Sequence, residues 1–311
     1  MTSPLVSIVV LNYKRLSALE QTLESCVTQN YQRKEIIVVD NHSEEDVAAT
    51  VRKFGSDIRL IELDTNQGGC GGRNAGIRAA QGELVITLDN DVSFMSSDAL
   101  DTVVTLFDEH PEYHVLAFQV CDAQSGKIRL REWCHPKDWR QFANVPFPTH
   151  FFVEGAAAYR KTVFANAGLY FEPLFIYCEG WDFGLRILDH GYRMLYAPEV
   201  KVRHLMSPEA RSNSRQCFLF SRNYIWIAYK NYPVWSGLRF AFFRTAMMAY
   251  LASRTGNVGS FLKGLWNGVA GCRHIKRSPV RRTTIAYIDL LESERPNLLV
   301  RYARHRTVPQ F

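Results

Sequence analysis

The sequence predicts an α/β fold, a mainly parallel sheet flanked by helices, followed by a basic helical C-terminal region. Three observations carry this. Val6–Leu11, Glu35–Asp40 and Leu84–Leu88 are short apolar runs rich in β-branched residues, as expected of strands buried on both faces. Apolar residues at helical spacing lie between them, as in Leu16, Leu19, Leu23 and Val27. Each run stops at a polar residue, Asn12, Asp40 or Asp89. Parallel sheets bind ligands outside the carboxyl ends of their strands, so these three residues, with Asn66, are expected to line one crevice.

Taken in order, the first strand meets a polar loop at 12–15 and then a helix. The second strand ends at Asp40, and Ser43 is placed to cap a helix over 44–54. A third strand spans 58–63. Residues 66–76 hold five glycines and lead into a helix ending near Ala80. Leu84–Leu88 then runs into Asp89-Asn90-Asp91. Further strands are expected over 114–121 and 151–159, with irregular chain between them. A short helix over 161–166 and a helix over 183–189 follow, and then two strand pieces, 194–197 and 200–204, around Pro198. After about Ser207 the character changes to helices over 215–232, 235–251 and 260–272, with a basic run at 273–282. The expected division is 1–206 and 207–311.

With 311 residues, 47% hydrophobic and 22% charged, the composition is that of a globular chain large enough for one sizeable domain and a smaller one. Seven scattered cysteines without a CxxC pair fit a reducing compartment and argue against a disulfide framework or zinc site. The N-terminus enters a strand without a basic n-region, so no signal peptide is expected. The net charge of +6 conceals a split: residues 201–311 carry 19 Lys and Arg against four acids, and residues 1–200 carry 18 against 27. A basic half faces an anionic partner. Nucleic acid is not expected, because no nucleic-acid-binding motif accompanies the charge. The aromatic and Met-rich helices mixed with Arg and Lys suit a membrane interface. They also suit a helical domain packed on the first.

Asp89-Asn90-Asp91 sets two carboxylates one residue apart at a strand end. They repel each other and lose water there unless a cation joins them, and hard oxygen ligands suit Mg²⁺ or Mn²⁺. A polar turn is the other reading. The glycine-rich stretch matches neither the dinucleotide fingerprint nor the P-loop. Its glycine density suits close backbone approach to a ligand, with a helix start behind it for an anion and Arg73 and Asn74 as donors, or else a flexible turn. Glu179 and Asp182 are three apart and share a face at a helix start, where the dipole favours ionised carboxylates. Trp181 between them is read either as a platform for a sugar or as a core residue.

The blocks VSIVVLNYKR, EIIVVDNHSEED, NQGGCGGRNAG, LVITLDNDV and IYCEGWDFGLRILDHGYRMLYAPEVKVRHL together resemble glycosyltransferase family 2, over about residues 5–206, most closely its rhamnosyl- and galactofuranosyl-type members. The resemblance implies a GT-A fold, inversion at the anomeric carbon and a nucleotide-diphosphate sugar donor, a dTDP- or UDP-sugar. It implies that Asn12 and Asp40 contact the nucleoside, and that Asn66, Arg73 and Asn74 support ribose and diphosphate. It makes Asp89 and Asp91 the acids of a metal motif for Mg²⁺ or Mn²⁺, and His204 a position that completes the coordination or is a strand-end histidine.

The family usually shows Glu-Asp-x-Asp where this chain has Glu179-Gly180-Trp181-Asp182. The usual base is therefore replaced by Gly180, and the candidates for proton removal from the acceptor are Asp182, then Glu179. The function implied is sugar transfer to a glycan or lipid-linked acceptor in cell-surface polysaccharide synthesis. The setting is cytoplasmic, peripheral on the inner face of the cell membrane. A nucleotidyltransferase and a non-catalytic sugar-nucleotide binding module are the alternatives. A glycoside hydrolase would leave the glycines and Asp40 unexplained.

Overall fold

The computed structural model describes residues 3–205 and 213–295. The expected boundary at 206–207 and the basic stretch beyond Arg295 lie outside the described residues. Alternation within the strands sets the layers. Strand β1 (Val6–Asn12) sends Ile8 and Val10 to one apolar cluster and Val9 and Leu11 to the other. The strands β2 (Lys34–Asp40), β3 (Arg59–Glu62) and β4 (Leu84–Asp89) complete a parallel group in the order β3-β2-β1-β4.

Helices α1 (Leu16–Val27), α2 (Val47–Arg52) and α4 (Ala99–Glu109) cover one face, through Leu19, Leu23, Val51, Leu100 and Val103. Helix α3 (Gly68–Ala79) covers the other. The cap of α2 is Asp46, whose carboxylate accepts from the Ala49 amide, and not Ser43. The helix accordingly starts later than expected.

The glycine stretch is a correction. Residues 68–79 are the helix itself and not a loop ahead of it. A Cβ on Gly72 would lie 2.3 Å from Leu11 Cδ1, and one on Gly76 2.3 Å from Val9 Cγ1. The glycines therefore let α3 settle directly on β1.

The second half of the sheet is mixed. Strands β5 (Val92–Phe94), β6 (Tyr113–Asp122), β7 (Phe147–Thr149), β8 (Ala156–Arg160) and β9 (Arg193–His204) continue the order as β4-β8-β6-β9-β5, with β7 on β9. The region to 150 contains β7 and a short helix, α5 (Trp139–Phe142). The strand expected over 151–159 begins only at Ala156. The two pieces expected around Pro198 are one strand. Its register against β6 jumps from Phe118–Ala197 to Gln119–Lys201, a bulge that accommodates the proline. Its first half pairs β7 and its last three residues pair β5.

Helices α6 (Thr162–Ala167) and α7 (Glu179–Asp189) pack on each other in the apolar cluster that α3 also joins, and α7 begins four residues earlier than expected. The C-terminal helices are α8 (Asn213–Asn231), α9 (Val234–Arg254), α10 (Val258–Gly271) and α11 (Arg282–Ser293), the last not anticipated. They share one apolar cluster with the sheet, through Tyr224, Ile227, Met248, Ala252, Phe261 and Ile285. All seven cysteines are free thiols.

Candidate functional site

Parallel register brings the polar strand ends together. Asn12 lies opposite Asp40, and Leu11 opposite Asp89. Asn12 is fully buried and its side chain is consumed. Its Nδ2 donates to Asp40 Oδ1 at 2.9 Å and to Ser43 Oγ at 3.0 Å, and its Oδ1 accepts from Asn90 Nδ2 at 2.8 Å. Ser43 also bonds Asp40 through its hydroxyl and its amide. The residue expected as a helix cap thus orients the acid at the end of β2, and Asn12 holds that acid in place.

Asp91 is 4% exposed and stands between two cationic groups. Arg15 Nη1 lies 2.7 Å from its Oδ2, and His204 Nε2 lies 3.4 Å from its Oδ1. The other His204 nitrogen is 2.7 Å from Glu132 Oε1. Burial alone would lower the His204 pKa, but Asp91 and Glu132 outweigh it and push it up to about 10, so a cation at Asp91 would have to displace the Nε2 proton before His204 could bind it. A metal-ligating histidine donates from one nitrogen to a carboxylate and turns the other to the ion; here Glu132 stands at one nitrogen and Asp91 at the other. Among the described residues no group of three or more His, Cys, Asp or Glu converges on a metal position. Asp91 and His204 could supply only part of a cation's ligands, and phosphate oxygens and water, which Mg²⁺ and Mn²⁺ accept, would have to supply the rest.

Arg73 and Asp89 form the second cluster. Arg73, 5% exposed, donates from Nη2 to Asp89 Oδ1 and from Nη1 to Glu179 Oε1 at 3.2 Å. Burial opposes its charge, but Asp89 and Glu179 raise its pKa further and keep it protonated. Asp89 is about one-third exposed and opens to the crevice. Burial, joined by repulsion from Glu154, raises Glu179 to about 8 against the pull of Arg73.

Glu154 was not singled out by the sequence. Its carboxylate accepts from the Gly180 amide, and its neighbour Gly155 lies so close to Asp89 that a Cβ there would be 2.5 Å from the Asp89 Cγ. The available signal was a lone acid in the apolar run FFVEGAAAY. Arg15 and Glu132 were missed as well, since nothing in their local sequence points at Asp91 or His204.

Other expected residues sit elsewhere. Asn66 sits just ahead of α3, where its Oδ1 accepts from the Gly68 amide at 2.9 Å. Asn41 Oδ1 takes the Gln67 amide, and Phe175 O takes the Cys70 amide. These N–H groups at the start of α3 are committed within the protein rather than offered to an anion. Asn74 is buried against the Tyr170 backbone, with Nδ2 to Tyr170 O and to Glu172 Oε1 at 2.9 Å each, and does not join Arg73.

Asp182 is enclosed, with Oδ2 accepting from Arg186 Nη2 at 2.6 Å, and Oδ1 from Lys230 Nζ and Asn231 Nδ2 at 2.7 Å each. Burial would raise its pKa, yet Arg186 and Lys230 hold it below the usual range. A carboxylate so committed presents no lone pair to the crevice. Trp181 meets Arg244 of α9, whose guanidinium carbon is 4.3 Å from the ring centroid, and Phe151 and Phe240 flank it. It is part of the junction between the sheet layer and the C-terminal helices.

Among the described residues, seven non-glycine residues have positive φ: Lys14, Arg15, His42, Glu44, Phe175, Tyr177 and Cys178. All lie in segments that follow β1 or β2 or lead into α7. Backbone strain of this kind gathers at functional sites.

A family model described as glycosyl transferase family 2 matches residues 7–168. The O-antigen chain rhamnosyltransferase WbaN of Salmonella anatum is 26% identical over 199 residues, 61% of this chain and 62% of its own length. A Campylobacter jejuni protein named GalNAc(5)-diNAcBac-PP-undecaprenol beta-1,3-glucosyltransferase is 33% identical over 105 residues, 32% of this chain and 34% of its own. Over the first curated relatives the match spans between 53 and 77% of the relative's own length. The mannosyltransferase PcManGT of Pyrobaculum calidifontis, solved with GDP-Man and Mn²⁺, superposes with a TM-score of 0.58 at 18% identity, over 99% of this chain and 83% of that one. The sheet is therefore of the GT-A kind.

Proposed function

This chain belongs to glycosyl transferase family 2, and we propose that it moves a sugar, with inversion, from a dTDP- or UDP-sugar to a hydroxyl of a glycan or lipid-linked acceptor in cell-surface polysaccharide synthesis. One observation carries the reading: three adjacent parallel strands bring Asp40, Asp89 and Asp91 to one edge of the sheet, at or just past their ends, with Arg73 as a buried cation paired to Asp89. Asp40, oriented by Asn12 and Ser43, is offered to the nucleoside. Asp91 and His204 would hold Mg²⁺ or Mn²⁺, and Asp89 adjoins them two residues away. Such a cation, when bound, offsets the charge that builds on a departing diphosphate. Arg73 fixes Asp89 by an ion pair and links it to Glu179. The relatives named for an O-antigen chain and for an undecaprenol-linked substrate support the acceptor class.

A membrane-surface location belongs to the same proposal. None of the described helices is long and apolar enough to cross a bilayer. Helix α9 exposes Trp235, Leu238, Phe242 and Phe243, and α10 exposes Leu262, Trp266 and Val269. Exposed Arg254, Lys263 and Arg273 lie along the same helices or just after them. Apolar side chains interleaved with cations are suited to the interface of an anionic membrane.

The test is a thermal-shift panel of UDP-, dTDP- and GDP-sugars with and without Mn²⁺. Ligands that bind only the folded chain raise Tm by mass action. A metal-dependent rise for one nucleotide class is expected, and release of nucleoside diphosphate should accompany it. A flat response to all donors, with a rise for a nucleoside triphosphate, would replace this reading by nucleotidyl transfer. Donor binding without turnover would make the chain a binding module.

A further inference from the structure

The acid absent at position 180 has a substitute in space. Gly180 is the second residue of α7, and its amide donates to Glu154 Oε1. A Cβ built on Gly180 would lie 2.4 Å from that oxygen and 3.0 Å from Glu154 Cδ. A side chain at 180 and the Glu154 carboxylate thus compete for one volume, and this chain fills it from the segment before β8. Glu154 is held at the N-terminus of α7 by the Gly180 amide, whose hydrogen bond fixes the carboxylate in place. It is also half-buried, whereas Glu179 is 4% exposed and Asp182 is closed off. Its backbone is fixed by Thr87 Oγ1, which donates to Glu154 O, and by Gly155 packed on Asp89. The carboxylate is therefore attached to the same strand end that carries Asp89.

We propose that Glu154 is the general base of this enzyme, performing from the sheet side the proton removal that an acid at position 180 would perform from the helix side. The inference rests on the sugar-transfer reading above. In the step, the acceptor oxygen bonds to the anomeric carbon as its proton passes to a Glu154 carboxylate oxygen. The bond from that carbon to the diphosphate oxygen breaks, and its electron pair leaves with the nucleoside diphosphate. Glu154 then returns the proton to solvent. Burial, joined by Asp89, raises the Glu154 pKa against the pull of Arg73, which strengthens it as a proton acceptor.

The experiment uses the full chain with Mn²⁺ and each of UDP-, dTDP- and GDP-sugars. A synthetic polyprenyl-diphosphate-linked sugar or water serves as acceptor, and nucleoside diphosphate release is the readout. Glu154→Gln keeps the amide contact to Gly180 and should lower release by roughly 100-fold or more, while the donor-dependent thermal shift persists. Moving the acid back, with Glu154→Gly combined with Gly180→Asp, should recover release by about tenfold or more over Glu154→Gly alone, because the space for a side chain at 180 is then open. The inference is overturned alone if wild type turns over donor and Glu154→Gln keeps most of that rate. It is likewise overturned if Glu154→Gln loses the donor shift and the relocated acid recovers nothing, which would make Glu154 a support of the donor site. If wild type neither binds nor turns over any donor, the sugar-transfer reading falls and this inference falls with it.

Discussion

Lys230 Nζ lies 2.7 Å from Asp182 Oδ1, joining the last turn of α8 to the first turn of α7. Asp182 is fully buried and Lys230 largely so. Asn223, two turns earlier on α8, donates to the carbonyls of Leu174, Ile176 and Tyr177. The C-terminal helices therefore hold the segment that delivers Glu179 and Gly180 to the crevice.

Removing Lys230 takes one charge-assisted hydrogen bond from buried Asp182 and leaves it Arg186 and Asn231. Lys230→Ala should lower unfolding stability by about 2 kcal/mol, read from urea midpoints. Lys230→Arg should lose less. A loss below about 0.5 kcal/mol for Lys230→Ala would mean that the pair is already hydrated.

Close packing of α3 on β1 predicts opposite signs for two glycines. Gly72→Ala drives a methyl into Leu11 Cδ1 and should destabilise by about 1–3 kcal/mol. Gly259→Ala, in the first turn of α10 with nothing within 4 Å of the new methyl, should be neutral or stabilise by up to about 1 kcal/mol. Thermal denaturation of the two variants side by side checks both.

Glu292 ties α11 to the loop carrying His150, with Glu292 Oε1 2.9 Å from His150 Nε2 and Arg295 on the same carboxylate. Burial would raise its pKa, but His150 and Arg295 prevail and hold it at about 2. A depressed carboxylate contributes stability above its unfolded pKa of about 4.3 and loses it as pH falls through the folded value. The stability gap between wild type and Glu292→Gln should be full at pH 7 and shrink from about pH 4 toward pH 2. A gap independent of pH would show that the carboxylate charge contributes nothing.

The metal reading predicts that Asp91→Asn abolishes the Mn²⁺-dependent part of the donor thermal shift. His204→Ala should weaken it by roughly 10-fold or more in apparent Mn²⁺ affinity. An unchanged Mn²⁺ titration in Asp91→Asn would remove Asp91 from the metal site.

Membrane attachment through α9 and α10 predicts co-sedimentation of the full chain with anionic vesicles, weakened by salt. Trp235→Ser with Trp266→Ser should reduce the bound fraction several-fold while the circular dichroism spectrum stays that of wild type. Equal sedimentation of variant and wild type would place the contact elsewhere.

Much of the fold was legible in the chain because its signals are local. The runs at Val6–Leu11 and Leu84–Leu88 are too apolar for anything but buried strands, and polar residues at their ends fall on one edge once the strands are parallel. That determined the α/β class and the family resemblance, and it set Asn12, Asp40 and Asp89 on one edge of the sheet. The helical C-terminal region was legible too, apart from α11, where the basic run ahead of Arg282 hides a short amphipathic segment.

Tertiary structure decided what those residues face. The glycines read as a loop near a ligand are helix, because Leu11 and Val9 sit where their side chains would be. Asp182 satisfied every local requirement of a base, yet Lys230 and Asn231 arrive from almost 50 residues away and occupy it. Glu154 reaches Gly180 only because β8 is inserted next to β4, antiparallel, in the middle of the sheet. Spacing along a chain reports which side chains share a face. Which group fills the volume in front of that face depends on strand order and on helices packed from far along the chain, and no local pattern encodes either.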